Sequence, residues 1–391
     1  MSVAVVGAGL AGLRTCEALR KHGYREPITL LGAERHAPYS RPPLSKEVLR
    51  GDDPAVATLR RGDGLTALDV DVRLGAAAVG LDAATRTITT DDGSTVTADD
   101  VVIATGSTPR RLPGVELGGV HTLRTVDDCL ALRGLLHTGT RVVVVGAGFI
   151  GLEVAASAQA LGCAVTVVDV LPAPLARVLP AGVGAAMTRL HVGNGVHLRC
   201  GVGVAEVRGD SSVEQVMLAD GTTLAADVVV VGIGVAPETG WLHGSGLTLD
   251  DGVVCDEALR AAPGIWAAGD VARWRPATGG TARLEHWTNA TEQPEAVARN
   301  IVNGTTEPFQ TVPYFWSDQY DAKLVCLGFT SAADEMQVVA GSVDEPKWVA
   351  LLRSGDRLTG VVGMRSAGRV MKLRPLLAER ASWDDALAAV G

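Results

Sequence analysis

The segment from residue 141 to residue 169 constrains the fold of this 391-residue chain more than any other. It opens with Arg-Val-Val-Val-Val, a β-branched run typical of a parallel strand buried on both faces. Glycines then follow in the pattern G-x-G-x-x-G, at Gly146, Gly148 and Gly151, where a helix is expected to begin. A second apolar strand ends at Asp169, 18 residues after the last glycine. Strand, glycines, helix and acid in this order predict a dinucleotide-binding unit.

Each residue of this pattern has a physical task. Gly146 allows the tight turn, Gly148 lets the backbone approach a pyrophosphate, and Gly151 lets helix and strand pack closely. The phosphates would lie at the helix N-terminus, where free N–H groups and the helix dipole favour anions. Asp169 would accept hydrogen bonds from a ribose diol. Further contacts with this dinucleotide are expected from residues of the same turn, Phe149 and Ile150.

The same unit occurs at the start of the chain, 139 residues earlier. An apolar strand over residues 3–6 leads into a second glycine pattern, and Glu34 follows its last glycine by 22 residues as the candidate ribose partner. Two such units in one chain suggest two different dinucleotides, and the usual pair is a flavin and a nicotinamide. The expected contacts in this first turn are Gly7, Gly9, Leu10, Ala11 and Gly12.

Bulk properties narrow the class of protein. The length suits two or three domains, and the apolar fraction of 47% with 47 glycines suits an α/β fold with many tight turns. A net charge of −9 argues against nonspecific nucleic-acid binding. No apolar run is long enough to span a membrane, and the first strand begins too early for a signal peptide. We therefore expect a cytoplasmic protein.

The six cysteines exclude two kinds of chemistry. No two of them have C-x-x-C spacing, which disfavours a metal cluster and a local redox disulfide. We expect buried free thiols and no metal site.

A stiff basic loop follows the first unit, with Pro42 and Pro43 inside it. Arg41 and Lys46 could contact the phosphates or ring of the first cofactor, or form an ordinary solvated loop. Ser45 is expected to cap a short helix.

Two buried strands that end in glycine turns, and a third that ends in Gly-Asp, extend the two sheets. Their expected cofactor contacts are Ala104, Thr105 and Gly106 after the strand 101–103, Gly234 after the strand 228–231, and Gly269 with Asp270 after the strand from residue 265. Asp270 is expected to precede a helix and to bind ribityl hydroxyls, or to serve only as its N-cap.

Residues 283–293 lead into a helix through Ile301, capped by Thr288 or Asn289, with its N-terminus aimed at the flavin. The aromatic segment 312–320 is either a core strand or a wall of the flavin pocket, and antiparallel strands and a final helix from about residue 370 follow it. These patterns predict a first flavin-binding part at 1–113, an inserted nicotinamide-binding domain at 114–238 with helical residues at 114–140, a second flavin-binding part at 239–311 and a C-terminal α+β domain at 312–391.

Taken together, these motifs resemble the NADH-dependent, FAD-containing ferredoxin reductases of the putidaredoxin reductase and rubredoxin reductase group. The resemblance implies a glutathione-reductase-like α/β fold with two dinucleotide-binding domains and a C-terminal α+β interface domain. It places Gly7, Gly9, Gly12, Glu34, Arg41, Lys46 and Asp270 at FAD positions. Its NAD positions fall on Gly146, Gly148, Gly151 and Asp169, although the family often has Glu where Asp169 stands.

The resemblance also implies the catalytic residues. Glu153 matches a helix glutamate near the nicotinamide, and Lys46 would hydrogen-bond either that glutamate or flavin N5. The stretch Glu285–Gln293, with Glu285, His286 and Trp287, matches the family, and Trp287 and Trp316 match aromatic residues near the flavin ring.

The implied activity is electron transfer from NADH through FAD to a small iron–sulfur ferredoxin or rubredoxin, which supplies an oxygenase or cytochrome P450. Two alternatives stay open: an NADH oxidase, and an NADH-sensing protein like apoptosis-inducing factor. Because ferredoxins are acidic, we expect docking at a basic surface. The candidates are the acid-free run Arg365, Arg369, Lys372 and Arg374, and the pair Arg60 and Arg61.

Overall fold

The computed structural model describes residues 1–59, 64–276 and 279–390, and it divides into two compact units. The first unit contains Met1–Ser40, Ala57–Thr108 and Ala236–Thr311. The second unit contains Arg41–Val56, Pro109–Val235 and Val312–Gly391. The four domain ranges expected from the sequence remain a proposal.

A six-stranded, mainly parallel sheet forms the centre of the first unit. Its strands, in spatial order, are Arg260–Ala262, Ile265–Ala267, Asp100–Ile103, Val3–Val6, Ile28–Gly32 and Asp71–Leu74. The chain reverses its strand order on either side of Val3–Val6, which pairs with Ile28–Gly32 on one edge and Asp100–Ile103 on the other. Ligands of open α/β sheets bind at such a switch point, outside the carboxyl ends of the strands.

Smaller elements complete the first unit. Three short strands form an antiparallel sheet, and the helices begin where the glycine pattern and the 283–293 segment predict them. The strands are Ala78–Asp82, Thr87–Thr90 and Thr95–Thr97, with the parallel pair Val253–Val254 and Ala272–Arg273; the helices are Leu10–Lys21 and Asn289–Asn303.

The second unit repeats the same sheet arrangement. Its five parallel strands are, in spatial order, His197–Cys200, Ala164–Asp169, Arg141–Val145, Val228–Val231 and Val120–His121. Again the strand before the glycine pattern lies at the switch point. The α-helices are Glu47–Arg50, Val126–Arg133, Phe149–Ala160 and Ala181–Gly193, and an antiparallel sheet of Val204–Gly209, Val213–Leu218 and Thr223–Ala225 covers a valine-rich core.

The expectation of a helical segment at 114–140 is wrong for most of its length. Only Val126–Arg133 is helical, and Val120–His121 is an edge strand of the parallel sheet. Gly119, with φ +78°, turns the chain into that strand. The helix cannot begin earlier because Thr125 and Asp128 form a reciprocal capping box that fixes its N-terminus.

The C-terminal part has the expected α+β composition. Alternating apolar residues build a five-stranded antiparallel sheet, and short helices cover one face of it around Leu351, Val361 and Trp383. The strands, in spatial order, are Tyr314–Gln319, Ala322–Gly328, Arg357–Met364, Trp348–Ser354 and Glu335–Gly341; the helices are Ala367–Lys372, Arg374–Ala378 and Trp383–Ala388.

Candidate functional site

The first glycine turn leaves the N-terminus of helix Leu10–Lys21 open to an anion. Gly9 caps this helix without a side-chain hydrogen bond, and no acid lies in its first turn. A Cβ at Gly12 would lie 1.8 Å from the Gly7 carbonyl oxygen, whereas a Cβ at Gly9 would meet no atom within 4 Å. Helix and strand thus touch at Gly12, while the space beside Gly9 is open, as a bound pyrophosphate requires.

Loops from neighbouring strands converge on this turn. A Cβ at Gly7 would lie 2.2 Å from the Ala104 carbonyl oxygen, and one at Gly269 would lie 3.0 Å from the Cβ of Ala11. Nearby, the Thr105 hydroxyl donates to the Glu238 carbonyl at 2.8 Å, and Gly106 has φ +72°. Predicted contacts that follow two separate strands, Ala104 with Thr105 and Gly269, are therefore neighbours of the first glycine turn.

Glu34 and Asp270 are both held by hydroxyl groups. The Tyr39 hydroxyl donates to Glu34 Oε2 at 2.5 Å, and the Ser107 hydroxyl donates to Asp270 Oδ2 at 2.8 Å. The helix expected after Asp270 is absent, because the chain enters the strand Ala272–Arg273 instead. Asp270 is accordingly not an N-cap.

The first turn of helix Asn289–Asn303 carries polar atoms that the described residues leave unsatisfied. Asn289 Oδ1 and Gln293 Nε2 are buried and have no hydrogen-bond partner in the described part of the chain. Gln293 Oε1 accepts from the Gly269 N–H at 2.8 Å, so the unsatisfied amide lies beside the first glycine turn. Buried polar atoms normally have partners, so these atoms fit a polar ligand such as FAD at this place.

Thr288, one of the two residues expected to cap this helix, occupies its N-cap position, but its side chain makes no capping hydrogen bond. Asn289 is the first helical residue, and its Nδ2 donates to the Leu284 carbonyl at 3.1 Å. Just before the helix, Trp287 Nε1 donates to the Ser40 hydroxyl at 3.1 Å. Burial lowers the pKa of His286 to about 4, against the opposing charge of Asp270, so its ring is neutral at pH 7. Glu285 pairs with Arg283 at 2.8 Å.

The second glycine turn has the same geometry as the first. Gly148 caps helix Phe149–Ala160 without a side-chain bond, and no acid lies in its first turn. A Cβ at Gly151 would lie 2.1 Å from the Gly146 carbonyl oxygen, whereas the nearest atom to a Cβ at Gly148 would be 3.9 Å away. Residues of the second unit therefore also fit a dinucleotide, and Ile150 is 39% exposed beside the turn.

Asp169 accepts backbone hydrogen bonds on both oxygens. Oδ2 accepts from the Ala147 N–H at 2.6 Å and Oδ1 from the Leu171 N–H at 2.8 Å. These contacts fix the carboxylate at the end of its strand, next to the glycine turn. Gly234, with φ +100°, lies at the carboxyl end of the same sheet, where the Arg177 guanidinium approaches it.

A buried ion pair joins the two residues predicted to be catalytic. Lys46 Nζ lies 2.6 Å from Glu153 Oε2, and the two residues are 7% and 6% exposed. The Ser45 hydroxyl donates to the same oxygen at 2.5 Å, and the Ser317 hydroxyl donates to Oε1 at 2.6 Å. Phe149, on the same helix as Glu153, meets Phe315 edge-on with ring centroids 5.1 Å apart. The buried carboxylate of Glu153 thus accepts hydrogen bonds from one ammonium and two hydroxyl groups.

Sequence reasoning missed both serines of this site. Ser45 was expected to cap a helix, but helix Glu47–Arg50 has no side-chain cap and Ser45 binds Glu153 instead. Ser317 carried a weak signal: on strand Tyr314–Gln319 it shares a face with Gln319, opposite to Trp316. Polar residues on the buried face of a strand indicate a partner there.

Two further candidates, Arg41 and Trp316, make contacts with residues other than this ion pair. Arg41 Nη1 donates to the Arg124 carbonyl at 2.5 Å. Trp316 lies on the strand face that packs against the C-terminal core, with Tyr314 at 5.7 Å between ring centroids and Lys323 Nζ at 5.9 Å. This packing fits a core strand, and the interpretation of the aromatic segment as a wall of the flavin pocket stays a prediction.

The basic run is less positive than its sequence indicates. The Arg365 guanidinium forms a double hydrogen bond with Asp321, at 2.6 and 2.8 Å. Its positive charge is therefore balanced by an acid 44 residues earlier in the sequence. Arg369 and Lys372 are exposed on helix Ala367–Lys372, and Arg374 begins the next helix. Arg60 and Arg61 lie outside the described residues.

The cysteines are free and unsuited to redox chemistry. All six are unpaired by disulfides, and burial raises the pKa of Cys16 and Cys255 to about 12 and that of Cys129 to about 11. Such thiols are not nucleophilic at neutral pH. The described residues contain no group of three metal-ligating side chains, and none of their helices is long and apolar enough to cross a bilayer.

Comparisons with known proteins agree with this geometry. Residues 1–294 match the pyridine nucleotide-disulphide oxidoreductase family, and residues 314–390 match the reductase C-terminal family. Rhodocoxin reductase from Rhodococcus erythropolis is 38% identical over 97% of this chain and 90% of its own length. The ferredoxin–NAD(+) reductase component of anthranilate 1,2-dioxygenase from Burkholderia cepacia is 38% identical over 97% and 95%. The reductase in the covalent putidaredoxin reductase–putidaredoxin complex superimposes with a TM-score of 0.93 at 32% identity, over 97% and 93% of the two chains.

Proposed function

This chain belongs to the pyridine nucleotide-disulphide oxidoreductase family, and from that premise we propose how its residues carry out the ferredoxin–NAD(+) reductase reaction. It is an FAD-dependent oxidoreductase that passes electrons from NADH to a small iron–sulfur protein, which in turn supplies an oxygenase or cytochrome P450. Bound FAD supplies the chemistry: it takes two electrons as a hydride from NADH and releases them one at a time. The observation that supports this assignment best is the pair of open glycine turns, one in each unit, together with buried Lys46–Glu153.

The first glycine turn holds FAD in this proposal, and the second holds NADH. The N-termini of helices Leu10–Lys21 and Phe149–Ala160 bind the two pyrophosphates through free N–H groups. Glu34 and Asp169 bind the adenosine riboses, and Asp270 binds the ribityl chain. We keep Arg41, Trp287 and Trp316 as proposed FAD contacts, and Gly234 as a proposed NADH contact.

Glu153 and Lys46 serve the hydride transfer by positioning and electrostatics. The carboxylate, on the helix that follows the second glycine turn, orients Lys46, and the buried ammonium stabilises negative charge that develops on the reacting rings. Neither residue has to accept a proton. We also propose that the protein works in the cytoplasm, where NADH is available and free thiols stay reduced.

Anaerobic stopped-flow absorbance tests this function directly. Purified protein with FAD is mixed with NADH or NADPH, and we expect rapid flavin bleaching with NADH and at least tenfold slower bleaching with NADPH. An iron–sulfur acceptor should then reoxidise the flavin much faster than oxygen does. Faster reoxidation by oxygen would favour an NADH oxidase, and a flavin that every acceptor reoxidises slowly would favour an NADH-sensing protein.

Asp169 is expected to select NADH over NADPH. Its carboxylate repels a 2′-phosphate, so D169N should lower the ratio of kcat/KM for NADH to that for NADPH by about tenfold or more. Ferricyanide reduction with each nucleotide measures this ratio. As a control for the lost contact with Leu171, the thermal midpoint of unfolding should fall by only a few degrees, because a single hydrogen bond contributes about 1 kcal/mol. An unchanged ratio would remove Asp169 from this role.

Helix Ala367–Lys372 is our proposed part of the ferredoxin-docking surface. Arg369 and Lys372 are exposed on it, and basic side chains attract an acidic partner. R369E/K372E should raise the KM for ferredoxin about tenfold at low salt without changing ferricyanide reduction. The matched control, R111E/K347E, makes the same change in net charge at two other exposed positions. Equal effects of the two double variants would show that only net charge matters.

A further inference from the structure

A line of hydrogen bonds continues from Glu153 through four more side chains of the second unit. Ser317 binds Glu153 Oε1 at 2.6 Å, and Gln319 Nε2 donates to the Ser317 hydroxyl oxygen at 3.0 Å. Gln319 Oε1 lies 2.7 Å from His191 Nε2, and His191 Nδ1 lies 3.1 Å from the Tyr320 hydroxyl. The line therefore crosses from helix Phe149–Ala160 to strand Tyr314–Gln319 and on to helix Ala181–Gly193.

Three of the four added members of this line are buried, and Tyr320 is partly exposed. His191 is 0% exposed, Ser317 is 1% exposed and Gln319 is 2% exposed. Burial lowers the pKa of His191, although its contact with Gln319 acts in the other direction, so the ring is neutral at pH 7. Burial raises the pKa of Tyr320, so its hydroxyl keeps its proton. Charge on the line is thus confined to its end at Glu153, where Lys46 lies.

The direction of every bond follows from the ionised carboxylate. The Glu153 carboxylate can only accept hydrogen bonds, so the Ser317 hydroxyl donates its one proton to it. The Ser317 oxygen must therefore accept from Gln319. A reversed amide would set two lone pairs against each other, so the Gln319 nitrogen faces Ser317 and its oxygen faces His191. His191 therefore carries its proton on Nε2, and its bare Nδ1 accepts from Tyr320.

We propose that Ser317, Gln319, His191 and Tyr320 form a one-directional hydrogen-bond chain that orients the Glu153 carboxylate toward Lys46, which makes His191 a remote positioning residue of the redox site. Four donors in series polarise one another toward the carboxylate, and each bond strengthens the next in a low-dielectric interior. This inference rests on the proposed role of Glu153 and Lys46, and it extends the site from Ser317, which binds Glu153 directly, to Gln319, His191 and Tyr320.

The first test is the tautomer of His191 in the wild-type protein. Long-range 1H–15N NMR of histidine-labelled protein at pH 7 should show the Nε2–H form for His191, assigned by its loss in H191F. The Nδ1–H form, or a doubly protonated ring, would overturn the proposal whatever the kinetics of the variants. The measurement needs no bound cofactor and no turnover.

The second test uses variants that cut the chain at different links. Q319L and H191F should each lower the limiting rate of flavin reduction by NADH about fivefold, with little change in the concentration of NADH that gives half that rate. H191Q should recover most of the loss, because its amide can donate to Gln319. The matched control is T188V, which removes a hydroxyl that binds only the Gly184 carbonyl on the same helix.

Two outcomes decide between the chain and simple packing. Limiting rates of H191F and Q319L within twofold of T188V, or H191Q no better than H191F, would contradict the positioning role. If wild-type protein with FAD is not reduced by NADH at all, the proposed function fails, whereas the tautomer of His191 still tests the chain on its own. If Q319L does not fold, the proposal is tested by the tautomer of His191 in the wild-type protein and by the rates of H191F and H191Q.

Discussion

Replacing Lys46 with methionine is expected to lower the rate of flavin reduction by NADH about 100-fold and to destabilise the protein by about 3–5 kcal/mol. The variant leaves the Glu153 carboxylate buried and without a counter-charge, with two hydroxyl donors as its remaining partners. Stopped-flow absorbance measures the rate, and urea unfolding measures the free energy.

A second substitution separates the two effects of Lys46. In K46M/E153Q the buried charge is gone, so most of the lost free energy of unfolding should return. The rate should stay low, because neither the ammonium nor the carboxylate is present. S157A is the matched control. Ser157 lies on the same helix as Glu153, and the substitution removes a buried hydroxyl whose hydrogen bond goes to the Ser45 carbonyl. If the double variant recovered both stability and rate, the pair would be a structural feature only.

Four of the six glycines in the two turns should divide into two classes. G12A and G151A bring a methyl group to about 2 Å from a carbonyl oxygen, so the turn has to open, and we expect destabilisation of several kcal/mol. G9A and G148A meet no such obstacle in the protein, so they should fold. Thermal unfolding of the four variants checks this division.

The variants that fold then report on the dinucleotides. G148A should raise the KM for NADH about 100-fold without loss of FAD, because the methyl group occupies space that the pyrophosphate needs. G9A should reduce the FAD content, read from the ratio of absorbance at flavin and protein wavelengths, without disturbing the second unit. The reverse result, with flavin lost from G148A and retained by G9A, would exchange the two cofactor sites.

Sequence patterns predicted the local elements well, because the backbone alone constrains them. Gly7 and Gly146 have φ of +113° and +111°, which favours glycine, and each lies beside a strand of alternating or continuous apolar residues. The helices expected after the two glycine patterns are present as Leu10–Lys21 and Phe149–Ala160, and the antiparallel strands expected near the C-terminus are also present. The predictions were wrong at the ends of elements. At residues 114–140 and after Asp270 a helix was expected, but a turn directs the chain into a short strand first.

By itself, the sequence determined the two dinucleotide units, their acids and the α/β class, because spacing along one strand–turn–helix segment encodes all of these. Only the tertiary structure decided which distant side chains meet. Glu153 contacts Lys46, Ser45 and Ser317, which are 107, 108 and 164 residues away in the sequence. Arg365 forms an ion pair with Asp321, which is 44 residues away. Such contacts depend on how helices and strands cross in space, and no periodicity within a segment carries that information.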